Sequence, residues 1–467
     1  MNNGSDNPTE DAGAINAALD AVQRLAGKML EREDRLPQRA PGELSPQLAL
    51  AATGRPFDEV VAALDEIMTL TPSSASPLFF NQLFAGRDPA AVMAEMLTPL
   101  ANTSMYTFKV AGPQVLIERE VLGRMVAAAG YADGEGSFFP GGSISNLTAM
   151  VVARNRAVSS ARDDGLSGER LTVYTSELGH YSIPKNAGLL GIGRRNVRTV
   201  PADESGRMRV DVLRRMLTED RGSGRVPVMI NATAGTTVLG AFDPIRAVAE
   251  VAEEHGVWLH VDGALGASVL LCERHRALMV GTERADSLTW NAHKMMGVPL
   301  VCSALLLRRP GLLADSLSES AEYLFQADED ELNPGTRSIQ CGRRNDALKV
   351  WAAWFHHGDV GYDRRIARLF ELARHAAALV VADPDMELVL QPESINVCFE
   401  VRGRSSAAIC ARLDAEARLK IGHGVANGRR AIRLVCIDPD LDEERIVAAL
   451  AEIKAVARVL PEGDNAV

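Results

Sequence analysis

No basic tract interrupts this chain, and none of its six cysteines stands in a CxxC spacing. The formal net charge is -11. An acidic balance without a compensating basic cluster excludes nucleic acid and anionic membrane surfaces as partners. It does not exclude a small anionic ligand, because one buried arginine can set a local field. The cysteines (Cys272, Cys302, Cys341, Cys398, Cys410, Cys436) lie apart in mostly apolar surroundings with no metal-ligand spacing. Reduced, buried thiols and no metal are expected. There is no leader-like N-terminus and no apolar run of ~18 residues. A cytoplasmic protein that neither spans nor binds a membrane is therefore expected. Internal repeats and low-complexity tracts are absent too.

What is present is ample apolar material: 46% of 467 residues are hydrophobic and 24% charged. At ~150 residues per domain the length suits about three units, or one large domain with appendages. After a polar start, apolar residues recur at three and four (Ile15, Leu19, Val22, Leu25, Met29) over residues 14–33, and a second helix is expected over 57–68. These make an N-terminal helical arm, residues 1–84. Short β-branched runs follow: "LTVYT" (171–175), "VPVMINATAG" (226–235), "VWLHVDGA" (257–264), "ADSLTW" (285–290) and "SALLLR" (303–308). Helical stretches such as "DPIRAVAEVAEEHG" separate several of them. That alternation predicts an α/β fold with a mostly parallel central sheet covered on both faces, residues 85–359. Ligands in such sheets sit beyond the C-terminal strand ends. Residues 360–467, with "INVCFEVRG", "AIRLVCID" and a closing helix, read as a small α+β domain.

Four features fall where those strands end. "FFPGGSISN" sets Gly142 and Ser143 before a helical run, a place where backbone N–H groups and hydroxyls bind phosphate. A plain glycine-serine cap is the other reading. Asp262 ends a buried strand in "HVDGA", where a carboxylate needs a partner: a helix end or a protonated heterocycle nitrogen. Lys294 stands in "NAHKMM" and His180 in "TSELGHYSI". Alone, the first could be a surface cation and the second a satisfied polar side chain. Together the four match the needs of pyridoxal phosphate. It requires an amine for a Schiff base, an acid for its ring nitrogen, a phosphate cradle and a flat group against the ring.

From "SPLFFNQLFAGRDP" to "VGYDRR" the chain resembles the group II pyridoxal-phosphate decarboxylases, which include the glutamate, cysteine-sulfinate and aspartate decarboxylases. "FFNQL", "ANTSMYTF", "PGGSISN", "TSELGHYSI", "ATAGTTVLGAFDP", "HVDGA", "HKMMGVPLVCSA" and "IQCGRRNDALKVW" carry the likeness, in the family's order. The resemblance implies the fold-type I architecture of aspartate aminotransferase. It implies that Lys294 takes the cofactor as a Schiff base and that Asp262 pairs with the pyridinium nitrogen. His180 would stack on the ring, with Ala264 under it and Thr237 near the aspartate. Gly142, Ser143, Asn291 and His293 would hold the phosphate, and Arg433 a substrate carboxylate. A homodimer with interlocked arms is implied as well.

Gln82, Ser104 and Tyr106 match family positions that line the substrate side chain. A serine and a tyrosine at the latter two resemble the cysteine-sulfinate and aspartate branch, so the expected reaction is α-decarboxylation of a short acidic amino acid. Aspartate to β-alanine leads that expectation, with cysteine sulfinate to hypotaurine beside it. Glutamate decarboxylation, an aldehyde-forming outcome and a non-catalytic homologue are the alternatives. The chain departs from the pattern at Gly263, Leu265 and Ala292. It departs also in "QADEDELNPGTRS" (326–338), which lacks the tyrosine that the glutamate enzymes carry in that loop.

Overall fold

The structure is a computed structural model and describes residues 8–37, 48–319 and 332–465. Among the described residues, eleven strands form two sheets. The first contains β1 (Glu135–Phe139), β2 (Leu171–Ser176), β3 (Val197–Val200), β4 (Val226–Thr233), β5 (Trp258–Asp262), β6 (Ser287–Trp290) and β7 (Ser303–Leu307), in the order β1-β7-β6-β5-β4-β2-β3. All neighbours from β3 across to β6 are parallel, and β7 runs antiparallel to both of its neighbours. Strands β1, β2, β5, β6 and β7 are buried along their whole length, the mark of a sheet covered on both faces. Two apolar clusters lie against it, one containing Val261, Leu288 and Trp290, the other Phe139, Met150 and Val173.

The register aligns three strand ends: Thr233 pairs with Asp262, and Asp262 with Thr289. The polar tips of β4, β5 and β6 therefore stand side by side at the C-terminal edge. The five expected strands are present with ends shifted by a few residues. The sequence patterns did not reveal β1 and β3. The first hides Gly136 and Ser137 among its five residues, and the second is a four-residue edge strand, half-exposed for most of its length.

The second sheet is antiparallel: β8 (Met386–Leu388), β9 (Asn396–Val401), β10 (Gly422–Ala426) and β11 (Arg429–Val435), in the order β10-β11-β9-β8. One long helix, Asp346–Ala382, joins the two units. It bends at Gly358, whose φ of 64° is left-handed. Val350, Ile366 and Phe370 pack in the core of the large sheet, whereas Leu372, Ala376 and Val380 belong to the core of the small one. The segment 78–80 also crosses over. Phe80 donates to the carbonyl of Lys420, accepts from the N–H of Val435, and is buried in the small core.

In the arm, helices Pro8–Glu31 and Phe57–Leu70 leave Ile15, Leu19, Val22, Leu30, Phe57 and Leu64 at least 40% exposed. No helix among the described residues is long and apolar enough to cross a membrane.

Candidate active site

The site is assembled at the aligned C-terminal edge of the large sheet. Asp262 is 4% exposed. Its Oδ1 accepts from the N–H of Ala264 at 3.2 Å, and its Oδ2 from Nδ2 of Asn146 at 2.8 Å. Lys294 lies four residues beyond the end of β6, in a turn whose N–H at 294 donates to the carbonyl of Asn291 at 3.1 Å. Burial pushes its amine below the ordinary lysine range. The Asp262 charge opposes that shift and the Arg433 charge adds to it. An easily deprotonated amine is what Schiff-base chemistry needs.

His180, after β2, is half-buried. Burial lowers its pKa, Asp262 opposes that, and Lys294 and Lys185 reinforce it. Electrostatically, then, Lys294, Asp262, His180 and Arg433 form one group. Arg433 reaches it from β11: Nη1 donates to the carbonyl of Thr237 at 2.7 Å and Nη2 to that of Asn81, while Nε is buried without a partner. Thr237 itself is exposed in the turn after β4, and its carbonyl also accepts from Asn396 at 3.1 Å.

An anion cradle lies beside this group. The helix expected after the glycine pair begins at Gly142 and runs to Ala157, so Gly142 and Ser143 are its first two residues and present free backbone N–H groups. The Ser143 carbonyl is held by Asn186 at 2.9 Å. A Cβ at Gly142 would lie 2.8 Å from Asn291 Nδ2, so the helix start and this side chain close on a space that only glycine leaves open. Asn291 Oδ1 accepts from Ser303 at 2.6 Å, which directs its amide N–H groups elsewhere. His293 shares the cradle. Its Nδ1 is occupied by the backbone of Cys302, and burial drives its pKa down to about 4. These are neutral donors around a pocket at a helix N-terminus, a donor set that fits a phosphate.

Gln82, Ser104 and Tyr106 sit differently. Gln82 is exposed and follows Asn81, the residue whose carbonyl Arg433 grips. Ser104 Oγ donates to the carbonyl of Cys341 at 3.2 Å, and Tyr106 accepts from the N–H of Gly335 at 2.9 Å. The ring of Tyr106 lies 2.6 Å from where a Gly335 Cβ would be. Tyr106 thus packs on the described end of the tyrosine-less loop, and Ser104 on Cys341 just after it. Residues 326–331 of that loop lie outside the described residues.

Sequence reasoning quoted Asn146 and His260 inside motifs but gave them no role. They bond to each other across 114 positions, and Asn146 to Asp262 across 116, so neither spacing nor periodicity could join them. The available signal was His260 and Asp262 at i and i+2, two polar groups on one face of a buried strand that both need partners.

A depressed lysine amine, a buried carboxylate, an imidazole that shares their field and a donor-lined helix start at one sheet edge are the set of groups that pyridoxal phosphate needs, and so fit the class of pyridoxal-phosphate enzymes. Comparison with known proteins narrows that class. The family model "Pyridoxal-dependent decarboxylase conserved domain" matches residues 41–402, and the chain belongs to this family of pyridoxal-phosphate amino acid decarboxylases. It is 39% identical over 437 residues to mouse cysteine sulfinic acid decarboxylase, covering 88% of each chain. With mouse acidic amino acid decarboxylase GADL1 it shares 37% over 434 residues, 88% of this chain and 79% of that one. The crystal structure of mouse CSAD superposes with a TM-score of 0.90 at 35% identity, covering 96% of this chain and 100% of that one. The fold is thus fold-type I, as the sequence resemblance implied.

Proposed function

We propose that this chain removes the α-carboxylate of a short acidic amino acid, with cysteine sulfinate the first candidate and aspartate the second. The observation that carries the reading is Arg433. It is a desolvated guanidinium whose field reaches Lys294, with a buried Nε left unpartnered. Such a group calls for a carboxylate. Ser104 and Tyr106, and the kinship with a cysteine sulfinic acid decarboxylase, support a short acid; that kinship reverses the order expected from the motifs.

The bound cofactor supplies an electron sink for the pair released when the bond to the carboxylate breaks. The chain's residues do the rest. Lys294 offers an amine whose protonated form burial disfavours. Asp262, fixed by two hydrogen bonds, would offer its carboxylate to a ring nitrogen. His180 would cover the site, and Arg433 would orient the leaving carboxylate, a positioning effect that reaches about 7–11 kcal/mol in ideal cases. The balance is simple. A carbon–carbon bond breaks, carbon dioxide departs, and a proton is added at the α-carbon to give the amine.

The test is product analysis of the cofactor-loaded protein offered equal aspartate, cysteine sulfinate and glutamate. Hypotaurine or β-alanine well ahead of γ-aminobutyrate supports the short-acid reading. Dominant γ-aminobutyrate rejects it, and ammonia with aldehyde in place of any amine rejects simple decarboxylation.

We also infer a homodimer. Met93, Met96, Leu97 and Leu100 on helix Pro89–Ala101 are about as exposed as the arm residues, and with Leu19, Met29 and Leu30 they line a largely apolar cavity of about 890 Å³. Patches of this kind suit burial against another copy. Light scattering after gel filtration decides it. All six cysteines are unpaired, which suits a reducing, cytoplasmic setting.

A further inference from the structure

Behind the ring-facing residues lies a chain of buried polar groups whose donors and acceptors can be assigned one by one. The indole N–H of Trp258 can only donate, and it donates to Ser287 Oγ at 2.9 Å. Ser287 Oγ, with a second lone pair and its own hydrogen, also lies 2.8 Å from His260 Nδ1 and by itself fixes no tautomer. A carboxylate only accepts, so Asn146 gives its Nδ2 to Asp262 and its Oδ1 to the ring, and neutral His260 carries its proton on Nε2, 3.0 Å from that oxygen. Burial holds this imidazole neutral, its pKa lowered to about 4. The Thr289 hydroxyl donates to the same Asn146 oxygen at 2.8 Å.

Two donors on Oδ1 fix the amide. Its Nδ2 then faces Asp262 Oδ2 at 2.8 Å and Ser182 Oγ at 3.2 Å. Turning the amide over would set oxygen against carboxylate and N–H against N–H. At the far end, Ser182 Oγ lies 2.8 Å from His180 Nδ1, and the backbone N–H of Ser182 donates to that same nitrogen at 3.2 Å. A backbone N–H has no other role. His180 Nδ1 is thus an acceptor, and the neutral ring keeps its proton on Nε2. Asn146, Ser182, His260, Ser287 and Thr289 are at most 1% exposed, so no water competes for these bonds.

We propose that Asn146 is a positioning residue, the branch point of a buried hydrogen-bond network that fixes the Asp262 carboxylate directly and braces, through Ser182 Oγ, the His180 ring whose Nε2–H tautomer the Ser182 N–H selects. One amide hydrogen goes to each arm. The residue that is to face the cofactor nitrogen and the residue that is to cover its ring are then linked through a single side chain. The inference rests on the cofactor site and not on which amino acid is decarboxylated.

Two variants and one measurement on the unaltered holoenzyme test it. Asn146→Asp keeps the shape but replaces the shared donor by an acceptor facing Asp262. The expected result is a bound cofactor whose absorbance titrates at a shifted pH. The kcat falls about 10-fold or more, the loss typical of disturbing a supporting shell, with KM little changed. Ser182→Ala is expected to leave that absorbance titration in place and to keep the His180 Nε2–H tautomer, because the backbone N–H of residue 182 still meets Nδ1, while removing the link from Asn146 to the ring. Histidine-selective ¹⁵N NMR of the wild-type holoenzyme should show His180 protonated at Nε2 only, whether or not either variant folds. A His180 protonated at Nδ1, or an Asn146→Asp enzyme that titrates and turns over like wild type, overturns the proposal. Either result leaves the decarboxylase assignment standing, because loading and product identity are read separately.

Discussion

Arg343 and Glu118 face each other through two parallel hydrogen bonds, 2.8 and 2.9 Å, with side chains only 3% and 4% exposed. Arg343 spends a further N–H on the carbonyl of Met105 at 3.0 Å, and its own carbonyl accepts from Met105 at 2.8 Å. The pair thereby pins the residue between Ser104 and Tyr106. Glu118→Ala leaves a buried guanidinium uncompensated and should cost about 3–5 kcal/mol. Urea unfolding measures it. An unchanged midpoint would mean that the ion pair does not support this segment.

Lys294→Ala should remove the absorbance of a cofactor bound through a Schiff base and abolish turnover together. A variant that still releases carbon dioxide at the native rate would refute the role given to this lysine.

Gly142→Ala should weaken the cradle, because the new methyl group must displace Asn291 from 2.8 Å. About a 10-fold rise in the apparent Kd for pyridoxal phosphate is expected, ~1.4 kcal/mol. Fluorescence quenching on titrating the apoprotein reads it directly, and unaltered affinity would place the phosphate elsewhere.

Stability should fall in mild acid. His260 and His293 have pKa values near 4 in the folded chain, below the ordinary 6.5. Between those values the unfolded chain binds the extra protons, so stability is full above 6.5 and drains as pH falls toward 4. For His260 the whole swing is about 3 kcal/mol. Asp243, whose carboxyl is buried and pushed up to about 7, works the other way: its contribution is complete below 3.8 and fades as pH rises through 7. His260→Asn should flatten the acid slope in urea titrations of the apoprotein. A slope that does not change would show His260 to be protonated as readily folded as unfolded.

Much of this was legible in the sequence, for identifiable reasons. Strands β2, β4, β5, β6 and β7 announce themselves because a strand covered on both faces must be apolar throughout. Asp262 and Lys294 stand out because charge is conspicuous beside such strands. β10 does not show: its "GHGVA" carries two glycines and alternates in exposure. The joining helix begins at Asp346, inside the stretch read as the large domain, and continues past residue 360, because the glycine at 358 looks like a stop and is a bend. Asn146 was visible as a letter and invisible as a partner. Its hydrogen bonds reach 36 to 143 positions along the chain, and only folding supplies that information.

Arg433 already has work to do. From the small sheet it ties down Asn81, near the arm, and Thr237, beyond the large sheet. Those two ties use two of the five N–H groups of the guanidinium, so Nε–H and one N–H on each Nη remain. A substrate's carboxylate can therefore be taken without untying either stretch. The grip on the acid is then braced from three distant parts of the chain, and a disturbance at any one of them would be felt where the substrate sits.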